Sequence, residues 1–253
     1  MRISAIRRVM ALAALAVAPA LHAAHPLITE DTGTQGRGNS QLELTIERSH
    51  DEAEGVHRHN TQANAVLGHG VRDDLDLLLT LPYKRQRTEE DGAVTEHAGG
   101  GDVGLDAKWR FLERDGFSMA LKPGVTAPTG DDARGLGTGR AAWSLFLVSS
   151  FERGPWALHV HAGHLHNRNR VGERVNRWHV SVAGWREVGP LKLVADLGTN
   201  TNSTASADSD PAYFIFGVIY SVRKRLDLDL GYKKGISRAE TDRTWLGGVT
   251  WRF

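Results

Sequence analysis

The chain has 253 residues, 40% of them hydrophobic, and its 31 Lys and Arg against 30 Asp and Glu give a formal net charge of +1. No stretch offers the ~20 consecutive apolar residues of a spanning helix, and the balanced charge gives no general footprint for nucleic acid. The absence of cysteine excludes disulfide scaffolds, thiolate zinc sites and cysteine nucleophiles, while apolar residues spread along the whole chain exclude a disordered protein.

The first element is an address. Arg2, Arg7 and Arg8 form a basic start, Met10 to Leu21 an apolar run interrupted only by Pro19, and Leu21-His22-Ala23 a cleavage site with Ala24 as a close alternative. This pattern predicts a secretory signal peptide over residues 1–23 rather than a membrane anchor. Its removal leaves 28 basic against 30 acidic residues, a net charge of −2. Residues 24–39 form a polar, glycine-rich segment ahead of the first strand. We expect this segment to fold into the lumen of a barrel as a plug, so that deleting residues 28–37 raises conductance.

From residue 40 the hydrophobicity alternates with period two, the mark of strands whose two faces meet different surroundings. Over residues 75–83 the odd positions are Leu75, Leu77, Leu79, Leu81 and Tyr83, opposite Asp76, Leu78, Thr80 and Pro82. Residues 103–111 and 191–199 repeat the pattern, and in 226–232 the apolar set is Leu226, Leu228, Leu230 and Tyr232. Twelve strands are predicted, at 40–49, 60–70, 75–87, 101–112, 117–128, 141–151, 156–167, 176–186, 191–201, 212–222, 225–236 and 243–253. Most approach the ~9–11 residues of a bilayer-crossing strand.

Tight turns near 71–74, 113–116, 152–155, 187–190 and 223–224 alternate with longer polar loops near 50–59, 88–100, 129–140, 168–175, 202–211 and 237–242. Short turns on one side and long loops on the other are expected of an outer-membrane barrel. Alternation alone leaves open which face meets lipid, since a soluble barrel would turn its apolar face inward. The ends of the strands favour the membrane. Tyr83, Trp109, Phe111, Phe117, Trp156, Trp178, Tyr220 and Trp251 stand where interfacial aromatic girdles would lie. The chain closes on Trp245, Gly247, Val249, Trp251 and Phe253 at alternate positions, an ending that resembles the signal read by the bacterial outer-membrane assembly machinery. The fold class expected is therefore all-β, a monomeric, transmembrane, antiparallel up-and-down barrel of about 12 strands over residues 40–253. The 28 glycines exceed the average of about 7%; we expect those inside strands to permit the bends of closure and to leave space in the lumen.

By parity the inward residues include Asp76, Asp106, Lys108, Arg110, Lys122, His159, His161, Lys192, Asp196, Asp227, Asp229, Lys233 and Arg252. Wide porins select by rings of charge, but a 12-strand barrel is narrower than the 16–18-strand porins. Mixed signs thus predict a narrow channel or a largely plugged one.

Three stretches resemble one known family. They are His25-Pro-Leu-Ile-Thr-Glu-Asp-Thr-Gly-Thr-Gln-Gly-Arg-Gly-Asn-Ser-Gln-Leu-Glu43, Gly100-Gly-Asp-Val-Gly-Leu-Asp-Ala-Lys-Trp-Arg-Phe111, and Leu121-Lys-Pro-Gly-Val-Thr-Ala-Pro-Thr-Gly130 followed by Gly135-Leu-Gly-Thr-Gly139. In this order they are similar to the meta-pathway of phenol degradation family, often labelled a transporter. The resemblance implies a Gram-negative outer-membrane barrel and, more weakly, passage of small aromatic or hydrophobic compounds; it carries over no site residue.

Other chemistry is weaker. His159, His161, His164 and His166 lie on one strand, the first two facing the lumen and the others turned away near the outer rim, with His179 on the neighbouring strand. Imidazoles at i, i+2 suit zinc, copper or nickel, but solvated lumen or rim histidines are the reading preferred. Asp208 and Asp210, and Glu89, Glu90 and Asp91, read as solvated loops rather than calcium sites. The glycines at 135–139 lack the helix and following Lys of a phosphate loop, and no motif selects a nucleophilic serine. We assign no catalytic residue, no metal and no cofactor. The expected partners are outer-membrane lipid, the assembly machinery through Phe253, and a small-molecule solute, with no nucleic acid. The function expected is a channel in the outer membrane of a Gram-negative bacterium for small hydrophobic or aromatic solutes. The alternatives are a structural or surface-interaction barrel without transport and, third, a barrel lipase or esterase.

Overall fold

The computed structural model describes residues 25–53 and 55–253. The signal peptide read at 1–23, with its cleavage sites, lies outside the described residues. The strands are β1 (Ser40–Ala53), β2 (Val56–Arg72), β3 (Leu75–Glu90), β4 (Ala93–Gly100), β5 (Val103–Arg114), β6 (Phe117–Ala127), β7 (Ala142–Arg153), β8 (Trp156–His166), β9 (Asn176–Val188), β10 (Leu191–Asn200), β11 (Ala212–Arg223), β12 (Leu226–Gly235) and β13 (Arg243–Arg252). Neighbours in the chain pair antiparallel except β4 and β5, and β13 returns to β1 from Gln41↔Arg252 to His50↔Arg243. The last residue completes the seam: Ser40 N donates to Phe253 O (2.7 Å) and Phe253 N to Ser40 O (2.9 Å).

The thirteen segments make twelve positions in the wall, because β4 and β5 share one. β5 pairs with the lower half of β3, from Leu75↔Trp109 to Thr80↔Gly104, and β4 with its upper half, from Tyr83↔Gly100 to Glu90↔Ala93. The break falls opposite Pro82, which has no N–H to give a ladder; its carbonyl still accepts from Gly101 N (2.9 Å). Asp102 leaves the ladder there. Its carboxylate accepts from Gly130 N (2.9 Å), Thr138 N (2.7 Å) and Thr138 Oγ1 (2.8 Å), tying the long β6–β7 loop to the wall.

Two of the expected outer loops are strand. β1 and β2 stay paired to Ala53↔Val56, and β3 and β4 to Glu90↔Ala93, so 50–59 and 88–100 form rising hairpins. Polarity read them as loops because above the bilayer both faces of a strand meet water, and pairing needs backbone groups rather than apolar ones. The Asp91-Gly92 turn, with φ of 49° and 78°, is the primed type that suits a two-residue hairpin. Arg85 and Glu96 pair across the second hairpin at 2.8 Å. The five short turns lie at the end that also holds residues 36–39 and Phe253.

The outward face is apolar: Leu77, Leu79, Leu81, Leu105, Leu158, Val180, Leu193, Leu228 and Leu230 all project from it, and so do all eight strand-end aromatics from Tyr83 to Trp251. On β7 the aromatics Trp143 and Phe151 are eight residues apart, about 26 Å of strand, on the scale of the ~25 Å apolar band of a membrane barrel.

Candidate functional site

Residues 25–39 run inside the barrel. They enter beside the β2–β3 turn, where Gly38 N donates to Gly70 O (2.8 Å) and Arg37 N to Asp73 (3.0 Å). Gln35 N donates to Asp76 on β3 (2.9 and 3.1 Å). Thr32 N reaches Ser150 Oγ on β7 (3.1 Å), and its hydroxyl lies 2.5 Å from Ser118 Oγ on β6. Higher up, Glu30 pairs with Lys122 of β6, and Asp31 lies 3.9 Å from Lys108 of β5. Two of the four lysines that parity places in the lumen, Lys108 and Lys122, are therefore met by acids from the segment rather than from the wall.

Mid-lumen, the segment crosses to the far wall. Asp196 of β10, 1% exposed, accepts from Ile28 N (2.7 Å), Thr29 N (2.8 Å) and the Thr29 hydroxyl (2.8 Å). His25 Nδ1 meets Asp229 of β12 at 2.5 Å. Pro26 occupies a notch made by Gly217 and Gly231, which face each other across β11 and β12; a Cβ on either would fall within 2.8 Å of the proline ring. These two glycines leave lumen space that the internal segment fills. Leu27 packs with Ala157, Ala183, Trp185, Val194 and Ile219, and Ile28 packs against Tyr213, Ile215 and Leu246. The β8–β13 side of the lumen is thus filled by apolar side chains and the segment leans on it.

The opposite side stays open. A cavity of about 350 Å³ runs between the segment and β1, β2, β3, β5 and β6, with Glu43, Glu47, Asp106, Lys108 and Lys122 among its lining. It shares Asp31 and Gln35 with a 390 Å³ cavity at the short-turn end, which also touches Arg110. Above, it shares Glu47 and Gln62 with a 220 Å³ space, and Ile28 with a 520 Å³ vestibule. Phe146, His161 and His179 form one wall of that vestibule, with ring centroids 4.6 Å apart for Phe146–His161 and 5.0 Å for His161–His179.

The remaining lumen residues are paired at the wall: Asp227 with Arg252 (2.7 Å), Lys233 with Glu240 (3.0 Å), and Lys192 with Glu187 (3.6 Å) over the Trp185 ring. Arg110 meets Glu113 at 3.2 Å. The expectation of solvated lumen histidines needs correction: His159, His161 and His179 are all buried, and His159 is hydrogen-bonded to Ser150 (2.7 Å) with its ring 4.2 Å from that of Trp185. His164 and His166 turn outward onto Trp143 and Trp178. Sequence reading missed Glu30, Asp31, Phe146 and Trp185. The acids sit in a segment without periodicity, and the two aromatics are inward residues on strands read chiefly for their outward ones.

Solved barrels share this architecture. An outer membrane channel from Pseudomonas putida superposes with a TM-score of 0.70 at 18% identity, covering 88% of this chain and 98% of that one. The KdgM porin, solved in complex with disordered oligogalacturonate, gives 0.57 at 8% identity over 84% and 99% of the two chains. The translocator domain of the autotransporter NalP from Neisseria meningitidis gives 0.53 at 13% over 86% and 89%. At such identities the likeness is one of fold. No curated protein sequence matches the chain. The family described as "Putative MetA-pathway of phenol degradation" matches residues 28–253, the span that contains the three resembling stretches almost entirely, and the chain belongs to that family.

Proposed function

We propose that this protein is an outer-membrane channel for small hydrophobic or aromatic solutes, with residues 24–39 acting as a plug. The observation that carries the reading is the one-sided lumen: an internal segment held by polar contacts on a packed wall, beside a series of cavities that share lining residues from the outer mouth to the turn end. A wall held by twelve strand pairings is rigid, whereas a segment held by individual hydrogen bonds and ion pairs is the part that moves when a solute passes. The Phe146, His161 and His179 rings above the plug offer faces on which an aromatic solute stacks, and the charges beside the plug meet the solute next. In this reading the signal peptide at 1–23 directs export to the outer membrane of a Gram-negative cell, and Phe253 ends the signal taken by the assembly machinery. The lumen performs no covalent catalysis.

The test is uptake into liposomes holding the purified protein, with small aromatic solutes against sugars of similar size. Entry of the aromatic solute, faster after deletion of residues 28–37, is the expected result. No entry of any solute before or after deletion would leave a structural barrel without transport, and turnover of a fluorogenic ester would point to the barrel hydrolase.

A further inference from the structure

Away from the lumen, the β1–β2 hairpin carries a second cluster. The outward face of β1 is apolar at Leu44 and Ile46, then turns charged at Arg48. His50 and Glu52 come next on the same face. His50 is paired directly with His59, and Glu52 with His57. Because strand side chains alternate with period two, three imidazoles and a carboxylate share one face at two adjacent pairs. On β3, Glu89 stands opposite His57 and Arg87 opposite His59, and these two lie 3.4 Å apart. The cluster is four residues past Ile46, about 13 Å of strand, in the water beyond the apolar band.

Its geometry is that of a chelating pair. His50 Nδ1 lies 3.3 Å from His59 Nδ1, with ring centroids 4.6 Å apart. Two nitrogens bound tetrahedrally to zinc at about 2.0–2.1 Å are themselves about 3.3–3.4 Å apart. The His57 ring is 6.5 Å from that of His50, and its Nδ1 is 3.6 Å from Glu52 Oε2. Among the described residues no three such donors already surround one point. The side chains of His57 and Glu52 are 42% and 57% exposed, so rotation about their own bonds brings a third ligand without disturbing packing. We propose that the tip of the β1–β2 hairpin is a binding site for a divalent transition-metal ion of the zinc class, with His50 and His59 as the fixed ligands, His57 as the third and Glu52 supplying negative charge. Imidazole donors select zinc, nickel or copper over magnesium and calcium, which require oxygen. The ladder sets His50 and His59 side by side, and the ion has only to replace the hydrogen bond that now joins their rings.

Calorimetry with zinc chloride alone, on the full-length protein in detergent and without a histidine tag, tests the site. One zinc per chain is expected. His50→Ala with His59→Ala should weaken binding by more than the about 10–100-fold typical of losing an outer-shell partner, while His161→Ala with His179→Ala in the lumen leaves it unchanged. These hairpin side chains are on the surface, and heat-modifiable migration on gels checks that the variant barrel is closed. No stoichiometric zinc in the wild type overturns the proposal, as an N–H···N bond between the two rings would then account for their approach. Zinc that survives the hairpin double substitution, or is lost with the lumen pair, overturns it equally.

Discussion

Replacing Asp196 by Ala removes the anchor on which the internal segment turns from one wall to the other. Three donors from residues 28 and 29 converge on this one carboxylate, at 2.7, 2.8 and 2.8 Å, in a buried place. Hydrogen bonds to a charged group are worth about 1.5–3 kcal/mol each. Since the three share one acceptor they do not add fully, and the loss is about 3–6 kcal/mol. At about 1.4 kcal/mol per tenfold, the ratio of docked to released segment falls by about two to four orders of magnitude. The pairings of Gln35 with Asp76 and of Glu30 with Lys122 remain, so release is confined to residues 25–29 and the change is in opening frequency rather than in assembly. Single-channel recording in planar bilayers measures it: Asp196→Ala should show frequent openings, and Asp196→Asn, which keeps one acceptor oxygen, should lie between it and the wild type. Traces for Asp196→Ala that match the wild type, while deletion of residues 28–37 raises conductance, would refute the assignment of Asp196 as the anchor.

Two further substitutions probe the two faces of one strand. Gly231→Ala puts a methyl 2.6 Å from Pro26, an overpacking expected to cost about 1–3 kcal/mol and to drive residues 25–27 out of their notch; proteinase K followed by mass spectrometry should then trim an N-terminus that is protected in the wild type. Leu230→Arg, at an outward side chain 55% exposed between the Trp251 and Trp245 levels, should cost about 2–4 kcal/mol near the bilayer midplane. Urea unfolding in lipid vesicles reads this loss, and Thr61→Arg, outward on the hairpin beyond the apolar band, should show none.

The amino-acid sequence by itself determined which way each strand faces. Once Leu228 and Leu230 alternate with Asp227 and Asp229, a one-residue slip would exchange every side chain between lipid and lumen. The wall and its twelve positions were therefore legible, as was the turn end. Alternation also concealed two things. It ceases to signal where both faces are wet, so the β1–β2 and β3–β4 hairpins read as loops although Asp91-Gly92 marked one of them. It also says nothing about an aperiodic segment, so residues 25–39 showed their polarity and not their partners.

Only closure of the barrel decided those partners. It set Lys108 and Lys122 of adjacent strands opposite Glu30 and Asp31, 77 to 92 residues away in the chain. It set Pro26 into the seat that Gly217 and Gly231 make in the β11–β12 hairpin and left the open space on the β1–β6 side. The physical reason is the range of the interactions. Which face a side chain takes is decided by its immediate neighbours and the solvent it meets. Which charge it pairs with, and which glycine makes room for it, depends on strands brought together from across the whole chain.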